Sequence, residues 1–310
     1  MAIRNICVFG IGGVGGYFGG LLSNTFDKND GKDVYFVARG EHLKAIQEKG
    51  LEVHKGNERL VCHPTLCTDN PEELPACDLI ILSVKSYGLD EAIRQLRPII
   101  HENTVILPLL NGMDIYERIR KNLSTAYVLP ACVYIVSFID APGIIAKKGS
   151  VEKILMGQDP AKADFPQKDD LFEVLSQANI HFEWPENVYT AIWTKFTFIA
   201  GLALVTGCYR KSVGEVMADV NYRSEFEKVM KEIKGIAKKL NIPLAPNMVE
   251  DHLKLADSFP FEGTTSFLRD LESGRSQNEG DLFGGAVIRM GRELGVPVSF
   301  TEKVYSKISE

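Results

Sequence analysis

A glycine-rich turn that directly follows a short apolar strand limits the possible folds of this chain more than any other feature. Residues 5–10 read NICVFG, and residues 10–22 read GIGGVGGYFGGLL. Gly10, Gly12 and Gly15 fit the pattern G-x-G-x-x-G, in which the glycines allow a tight turn, a close approach to a pyrophosphate and close packing of the helix on the strand. The order of strand, turn and helix predicts a dinucleotide-binding unit. The glycines alone would also fit a turn that binds nothing.

The residues around this turn predict how a dinucleotide is held. The first amides of the helix, those of Gly13 and Val14 among them, would face the phosphates. The second predicted strand lies in DVYFVARG and ends at Arg39, 24 residues after Gly15. Enzymes that use NAD usually carry an acidic residue there, whereas a guanidinium suits a 2′-phosphate. The sequence therefore favours NADPH, although an exposed arginine without a ligand would also fit the position.

Polar residues follow two further apolar strands. CDLIILSVKSY contains Lys85, and NTVILPLLNGMD contains Asn111 followed by Gly112. In open α/β sheets, ligands bind beyond the carboxyl ends of the strands. We therefore expect Lys85 and Asn111 to face the cofactor and the reacting carbon. Each residue alone could also be an ordinary solvated lysine or a turn asparagine.

The rest of the chain divides into a β-rich and a helical part. Residues 127–160 alternate in polarity and contain turn glycines, which predicts hairpin strands that extend the edge of the same sheet. Residues 171–184 predict a short helix and another strand, and helical spacing dominates over 188–207, 221–241, 245–257 and 279–294. We therefore predict an α/β protein with an N-terminal Rossmann-type NADP-binding domain (residues 1–185) and an all-α substrate and catalytic domain (186–310).

Lys195 lies near the start of a long apolar run, AIWTKFTFIAGLALVTG. A lysine can bury its stem and reach water with its tip, so the position has an ordinary explanation. The alternative is a catalytic lysine on an apolar helix. About 14 apolar residues follow it, fewer than the roughly 20 that a membrane span needs, and we therefore expect a buried helix.

Composition excludes several classes of protein. The chain has 35 Lys and Arg against 41 Asp and Glu, a net charge of −6, which argues against a nucleic-acid-binding protein. The first ten residues lead directly into a strand, so we expect no signal peptide. Six scattered cysteines predict reduced thiols and a cytoplasmic protein. The segment CHPTLC, from Cys62 to Cys67, lacks further ligands at suitable spacing, and we predict no metal site.

Together these motifs resemble those of the ketopantoate reductase (2-dehydropantoate 2-reductase) family over essentially the whole chain. The segments that carry the resemblance are GIGGVG, VARGEHL, LSVKSY, LLNGMD, IWTKF, TTSFLRD and NEGDLFGGAVIRMG. The resemblance implies NADPH-dependent reduction of a 2-keto acid, 2-dehydropantoate, to D-pantoate on the route to pantothenate and coenzyme A.

The resemblance also implies roles for individual residues. Lys195 matches the family's catalytic lysine, which donates a proton to the carbonyl oxygen as hydride arrives. Glu279 matches a glutamate that positions the substrate, Ser266 a serine that contacts the substrate carboxylate, and Asn111 an asparagine near the nicotinamide. An ordinary carboxylate at a helix N-terminus is the alternative for Glu279. We expect Asp281 to be structural.

The chain departs from the family at three polar positions. Ile199 and Ala203, four and eight residues after the lysine, and Gly263, upstream of Ser266, stand where asparagines often occur. These departures leave open a reductase of a different small keto acid. A non-catalytic NADPH-binding regulator is a further alternative, although a sensor has no need for a proton donor. The expected partner is a small keto acid, without nucleic acid or membrane, and a monomer and a homodimer are both compatible with the sequence.

Overall fold

The computed structural model describes residues 2–26, 31–274 and 277–308. The chain forms two compact units. One comprises the residues up to Asn111 together with Ile115–Val188, and the other comprises Gly112–Asp114 together with the residues from Tyr189 onward. The short segment Gly112–Asp114 follows a strand of the first unit but groups with the second.

The first unit contains eleven strands within the described ranges. In chain order they are β1 (Asn5–Phe9), β2 (Asp33–Val37), β3 (Leu51–Lys55), β4 (Glu58–Cys62), β5 (Leu66–Thr68), β6 (Leu79–Leu82), β7 (Val105–Pro108), β8 (Tyr127–Val128), β9 (Ala131–Ala141), β10 (Ile144–Met156) and β11 (Phe182–Glu183). Its helices are α1 (Gly13–Thr25), α2 (Gly40–Lys49), α3 (Leu89–Leu96), α4 (Ile115–Asn122) and α5 (Lys168–Gln177), with 3₁₀ turns at Pro71–Glu73, Ser86–Gly88 and Arg97–Ile99.

Six of these strands form one parallel sheet in the order β5-β2-β1-β6-β7-β8. If these six strands are renumbered 1 to 6 in chain order, their order across the sheet is 3-2-1-4-5-6, as in the Rossmann fold. The central strands β6 and β7 are buried along their whole length, as their unbroken apolar sequences require in a sheet covered on both faces. The direction of winding reverses between β1 and β6, the point at which ligands bind in sheets of this type.

The long hairpin β9–β10 does not extend this sheet, so that prediction is wrong. It belongs to a second sheet with the order β11-β10-β3-β4, in which β9 pairs with β10. Of residues 127–160, only the two-residue strand β8 joins the first sheet. The hairpin joins the second sheet because Ile144–Lys147 of β10 pair with Glu52–Lys55 of β3. The hairpin β3–β4 was missed, although its Gly56-Asn57 turn is a recognisable two-residue hairpin signal.

Helix α1 packs against both sheets, which explains its unusual number of glycines. On one side a Cβ at Gly16 would lie 2.6 Å from Ile145 of β10, and a Cβ at Gly20 would lie 2.6 Å from Val53 of β3. On the other side a Cβ at Gly19 would lie 3.0 Å from Phe36 of β2. The glycines beyond the fingerprint therefore allow the helix to approach two layers at once.

The regular secondary structure of the second unit, within its described residues, consists of helices. Its helices are α6 (Val188–Tyr209, which begins in the first unit), α7 (Val213–Ala218), α8 (Val220–Lys239), α9 (Met248–Asp257), α10 (Ser266–Glu272), a π-helical segment (Asp281–Gly285) that continues into α11 (Ala286–Leu294), and α12 (Ser299–Ile308). Helices α7, α10 and α12 were not predicted. The α/β fold class with a helical C-terminal part is confirmed.

Helix α6 corrects the expectation based on its length. It has 22 residues, because it begins at Val188, seven residues before the Lys195 from which the sequence-based length was taken. An 18-residue stretch of it has a mean hydropathy of 1.5, so length and composition alone would allow a membrane span. However, 61% of this stretch is buried by the protein itself, as in the core helix of a globular protein. Leu202 and Val205 of this helix lie in an apolar cluster with Phe226 and Met230 of α8.

Candidate functional site

The glycine turn after β1 has the geometry that the fingerprint predicts. Gly10 has a φ of +95°, which favours glycine, and its N–H donates to the carbonyl of Val37 at 3.0 Å. The hydroxyl of Ser83, which follows β6, donates to the Gly10 carbonyl at 2.8 Å. A Cβ at Gly15 would lie 2.1 Å from this hydroxyl. The turn is therefore held between the ends of β1, β2 and β6. Ser83 was not anticipated, because a lone serine after a strand carries no signal.

The start of α1 can accept an anion. Gly12 precedes the helix with a φ of −91°, and among the described residues no atom beyond its chain neighbours and its own helix backbone lies within 4 Å of the place where its Cβ would be. The first turn, which includes Gly13 and Val14, has no side-chain cap and no acidic residue. Backbone amides at a helix N-terminus attract phosphate groups, so these residues fit a dinucleotide pyrophosphate. Gly13 itself packs against β9, where a Cβ would lie 2.3 Å from the carbonyl of Ser137.

Arg39 lies where the preference between cofactors is decided in this fold. It is exposed, follows the carboxyl end of β2 and precedes α2. Its guanidinium donates to the side-chain oxygen of Gln95 in α3 at 2.9 Å. The nearby Glu41 pairs with Lys44 at 2.9 Å. A positively charged strand end fits a 2′-phosphate. The hydrogen bond from Arg39 to Gln95 was not indicated by the sequence.

His42 lies close to the same turn and was also missed. Its Nδ1 accepts a hydrogen bond of 2.8 Å from the N–H of Gly143, which lies between β9 and β10. Burial lowers the pKa of His42, and a weaker opposing influence comes from the backbone of Ile11 in the glycine turn. A ring whose Nδ1 accepts carries its proton on Nε2 when it is neutral. His42 thus connects the hairpin with the surroundings of the glycine turn.

Lys85 and Asn111 lie beyond the carboxyl ends of two adjacent parallel strands. Lys85 follows β6 and precedes the Ser86–Gly88 turn, and Asn111 follows β7. Both are half-buried, and Gly112 after the asparagine has a φ of +135°. Because β6 and β7 are parallel neighbours, their ends lie at one edge of the sheet. The structure places all the predicted residues of the first unit at this edge: the glycine turn, Arg39, Lys85 and Asn111.

The predicted residues of the second unit lie on three elements. Lys195 is half-buried in the first half of α6, and Ser266 is exposed at the start of α10. Glu279 is 4% exposed and precedes the π-helical segment. The hydroxyl of Thr265 caps α10 by accepting from the N–H of Leu268 at 3.1 Å.

Aromatic and hydroxyl contacts connect these three elements. The ring of Phe283 in the π-helical segment lies 6.4 Å from that of Phe196 in α6 and 5.6 Å from that of Phe267 in α10, between centroids. The hydroxyls of Thr206 in α6 and Thr265 lie 2.9 Å apart. The segments that carry Lys195, Ser266 and Glu279 are thus packed together within the second unit.

The π-helical segment after Glu279 positions an ion pair. Asp281 contacts Arg289 through two N–O pairs at 2.6 and 3.0 Å, eight residues further along the helix. The Asp281 carboxylate lies next to Gly285, since a Cβ at Gly285 would be 2.1 Å from Oδ1 of Asp281. This pairing supports a structural role for Asp281. Short π-helical segments occur often at functional sites, but the sequence pattern did not predict this one.

The three departures from the family pattern have different surroundings. Ala203 is 2% exposed and belongs to the core, whereas Ile199 is half-buried. Gly263 lies in a turn in which its N–H donates to the carbonyl of Pro260 at 2.8 Å. A Cβ at Gly263 would lie 2.8 Å from that same oxygen. An asparagine there would require the turn to shift.

The six cysteines are all reduced. Five are buried, and Cys208 is partly exposed. Burial raises the pKa of Cys62 to about 11, and its thiol donates to the carbonyl of Leu51 at 3.5 Å. Across the described ranges no group of three or more histidine, cysteine or acidic side chains is arranged to hold a metal ion.

Two family descriptions match nearly the whole chain. Residues 6–160 match "Ketopantoate reductase PanE/ApbA", and residues 187–310 match "Ketopantoate reductase PanE/ApbA C terminal". An uncharacterized oxidoreductase of Bacillus subtilis, YkpB, is 28% identical over 97% of this chain and 96% of its own length. A 2-dehydropantoate 2-reductase of Mesorhizobium japonicum is 25% identical over 98% of this chain and 96% of its own.

Solved structures agree with this assignment. A 2-dehydropantoate 2-reductase of Porphyromonas gingivalis W83 superposes with a TM-score of 0.81 at 28% identity, covering 99% of this chain and 100% of its own. A D-mandelate dehydrogenase, solved with NADH and anilino(oxo)acetate, gives a TM-score of 0.85 at 20% identity, with 99% and 97% covered, a likeness of fold alone. The resemblance seen in the sequence motifs is thus confirmed, and the chain belongs to the ketopantoate reductase family of NAD(P)-dependent oxidoreductases.

Proposed function

We propose that this protein reduces 2-dehydropantoate to D-pantoate with NADPH as the hydride donor. The observation that carries the proposal is that α6 holds Lys195 in its first half, in a chain whose two parts both match the family. A proton donor is what ketone reduction requires in addition to hydride. A protein that only senses the cofactor would have no use for it.

The cofactor is assigned to the edge of the parallel sheet. Gly10, Gly12 and the first amides of α1 would hold the pyrophosphate, and Arg39 would bind the 2′-phosphate that distinguishes NADPH from NADH. Lys85 and Asn111, beyond β6 and β7, are assigned to the nicotinamide side. When bound, NADPH supplies the hydride for the reaction.

The residues of the second unit are assigned to the substrate. Lys195 would donate its proton to the ketone oxygen, and its positive charge would stabilise the alkoxide as it develops. Ser266 would bind the substrate carboxylate, and Glu279 would accept a hydrogen bond from the substrate hydroxyl. The burial of Glu279 and the packing of Phe283 against Phe196 and Phe267 support fixed positions for these groups.

A different 2-oxo acid is the second candidate. Ile199, which is half-buried on α6, stands where the family often has an asparagine, and this change favours a less polar substrate. The D-mandelate dehydrogenase of similar fold was solved with anilino(oxo)acetate, an aryl 2-oxo acid derivative. An aryl 2-oxo acid is therefore the alternative substrate to test against 2-dehydropantoate.

We further propose a cytoplasmic enzyme, active as a monomer or homodimer, that requires neither nucleic acid nor a membrane. The net charge of −6, the free cysteines and the burial of α6 support this setting. Light scattering of the purified protein would decide between monomer and homodimer.

The proposed substrate is tested by initial rates of NADPH oxidation at 340 nm. The panel contains 2-dehydropantoate, pyruvate, 2-oxoisovalerate and phenylglyoxylate. We expect the highest kcat/KM with 2-dehydropantoate. A higher kcat/KM with phenylglyoxylate would select the second candidate, and tight NADPH binding without turnover of any substrate would favour a regulator.

A further inference from the structure

A chain of polar contacts leads from Arg39 into helix α3. The guanidinium of Arg39 donates to Oε1 of Gln95 at 2.9 Å, and Nε2 of Gln95 donates to Oε1 of Glu91 at 2.8 Å. Glu91 and Gln95 lie one turn apart on α3, and Glu91 also accepts from Arg94. Hydrogen bonds from Gln95 and Arg94 lower the pKa of Glu91, and so does the nearby charge of Arg39. Glu91 is therefore an anion at neutral pH.

The two neighbours of Gln95 determine how its amide is oriented. A guanidinium can only donate hydrogen bonds, and an ionised carboxylate can only accept them. The amide oxygen must therefore face Arg39, and the amide nitrogen must face Glu91. Gln95 is half-buried, which further restricts its side chain. Arg39 is thus held by a partner whose orientation is itself fixed.

The neutrality of Gln95 matters for the charge at this site. A direct ion pair between Arg39 and a carboxylate would compete with the phosphate of a cofactor for the guanidinium. An amide holds the arginine in place and leaves its full positive charge. It also keeps the Glu91 carboxylate one side chain away from the guanidinium. The Arg39 guanidinium is therefore held in place with its charge still available to an anion.

We propose that Gln95 is a positioning residue that sets the preference of this protein for NADPH over NADH. This inference rests on the proposed function, because it assigns the Arg39 guanidinium to the 2′-phosphate. Gln95 presents that guanidinium without neutralising it. Glu91 contributes by fixing the orientation of the amide.

The test measures dissociation constants for NADPH and NADH by calorimetry at low and moderate salt, without substrate. The variants are Gln95→Glu and Gln95→Leu. The matched control is Gln177→Glu on α5, because Gln177 also donates to a glutamate one turn earlier, Glu173, at 2.9 Å. Thermal unfolding of each variant shows whether the fold is intact.

We expect Gln95→Glu to weaken NADPH binding about tenfold, since its carboxylate pairs with Arg39 and repels the phosphate, whereas NADH binding stays within about twofold. Gln95→Leu should weaken NADPH binding about threefold, because Arg39 keeps its charge but loses its orientation. The loss in Gln95→Glu should shrink as salt is added. Gln177→Glu should leave both constants unchanged.

An unchanged ratio of the two constants in Gln95→Glu would overturn the inference, and so would equal affinities in the wild-type protein. A wild-type preference for NADPH that Gln95→Glu abolishes would support it even if 2-dehydropantoate were not reduced. Failure of the proposed substrate and failure of this inference are therefore distinguishable.

Discussion

Gly15 and Ser83 approach each other so closely that the glycine position cannot hold a Cβ without displacing the serine hydroxyl. That hydroxyl would lie 2.1 Å from the added carbon, as would the carbonyl of Gly10. The same hydroxyl donates to the Gly10 carbonyl at 2.8 Å. At Gly12, three residues earlier, an added Cβ would meet no atom within 4 Å from the part of the chain that the structure describes, apart from its immediate neighbours. Two glycines of one fingerprint therefore have different surroundings: Gly15 is closely packed, whereas Gly12 faces open space, which we assign to a ligand.

The first prediction separates these purposes by alanine substitution. Gly12→Ala should leave the free energy of unfolding within about 0.5 kcal/mol of wild type but weaken NADPH binding at least about tenfold, because its methyl group occupies open space beside the proposed phosphate site. Gly15→Ala should cost about 1–3 kcal/mol of unfolding free energy through overpacking. Urea unfolding and calorimetry measure the two effects. Normal NADPH affinity in folded Gly12→Ala would contradict the assignment of the turn.

The second prediction concerns the proposed proton donor. Lys195→Ala should lower kcat by about 10²- to 10⁴-fold, the range of general acid catalysis, with the NADPH dissociation constant within about twofold of wild type. Lys254→Ala is the control, because the Lys254 side chain is 79% exposed on α9. Near-normal turnover in Lys195→Ala would show that another group donates the proton.

The third prediction concerns a buried carboxylate of the first unit, Asp159, which bonds to residues of α4 and β8. Asp159 is fully buried, pairs with Arg120, and accepts from the Tyr116 hydroxyl and the Val128 N–H, both at 2.8 Å. Asp159→Asn should cost about 3–5 kcal/mol of unfolding free energy, since it leaves the arginine charge uncompensated.

A surface ion pair of the same unit provides the control for Asp159. Glu183 contacts Lys153 at 2.7 Å with 52% of its side chain exposed, so Glu183→Gln should cost at most about 1 kcal/mol. Chemical denaturation measures both variants. Equal costs would mean that Asp159 does not stabilise this region more than an exposed carboxylate does.

The fourth prediction is a pH dependence of stability that arises from His252. The ring is 8% exposed and packs edge-on against Phe198, with centroids 5.3 Å apart. Burial lowers its pKa to about 4, and Asp251 opposes this shift weakly. The unfolded chain takes up the proton near pH 6.5 and the folded chain only near pH 4, so the contribution of His252 is complete above pH 6.5 and is lost as pH falls.

A variant without this ring isolates the effect. Relative to His252→Gln, the wild-type protein should lose about 2 kcal/mol of unfolding free energy between pH 6.5 and pH 4, a figure reduced for partial solvent exposure. Substituting the exposed His181 by Gln should leave the slope as in wild type. A difference between wild type and His252→Gln that does not vary with pH would refute the prediction.

The local features of this fold could be predicted because neighbouring residues determine them. The strand before Gly10, the helix after it and the helical spacing of α8 and α9 depend on patterns only a few residues long. The position of Arg39 at a strand end followed in the same way. These patterns were sufficient for the fold class.

Pairing between distant segments could not be predicted from such patterns. Alternation marks β10 as a strand, but nothing local indicates that it pairs with β3, some ninety residues earlier, rather than with the first sheet. The contact of Arg39 with Gln95 likewise joins the end of β2 to an exposed face of α3. The π-helical segment after Glu279 departs from the α-helical period too briefly to alter the apolar pattern.

The most direct test of the account is a product analysis with purified protein, NADPH and 2-dehydropantoate. Chiral chromatography with mass spectrometry would quantify D-pantoate against the NADPH consumed. We predict one D-pantoate formed for each NADPH oxidised, with Lys195→Ala producing almost none. Binding of NADPH without formation of pantoate, or an equal yield from Lys195→Ala, would contradict the assignment of this chain as a lysine-dependent 2-dehydropantoate reductase.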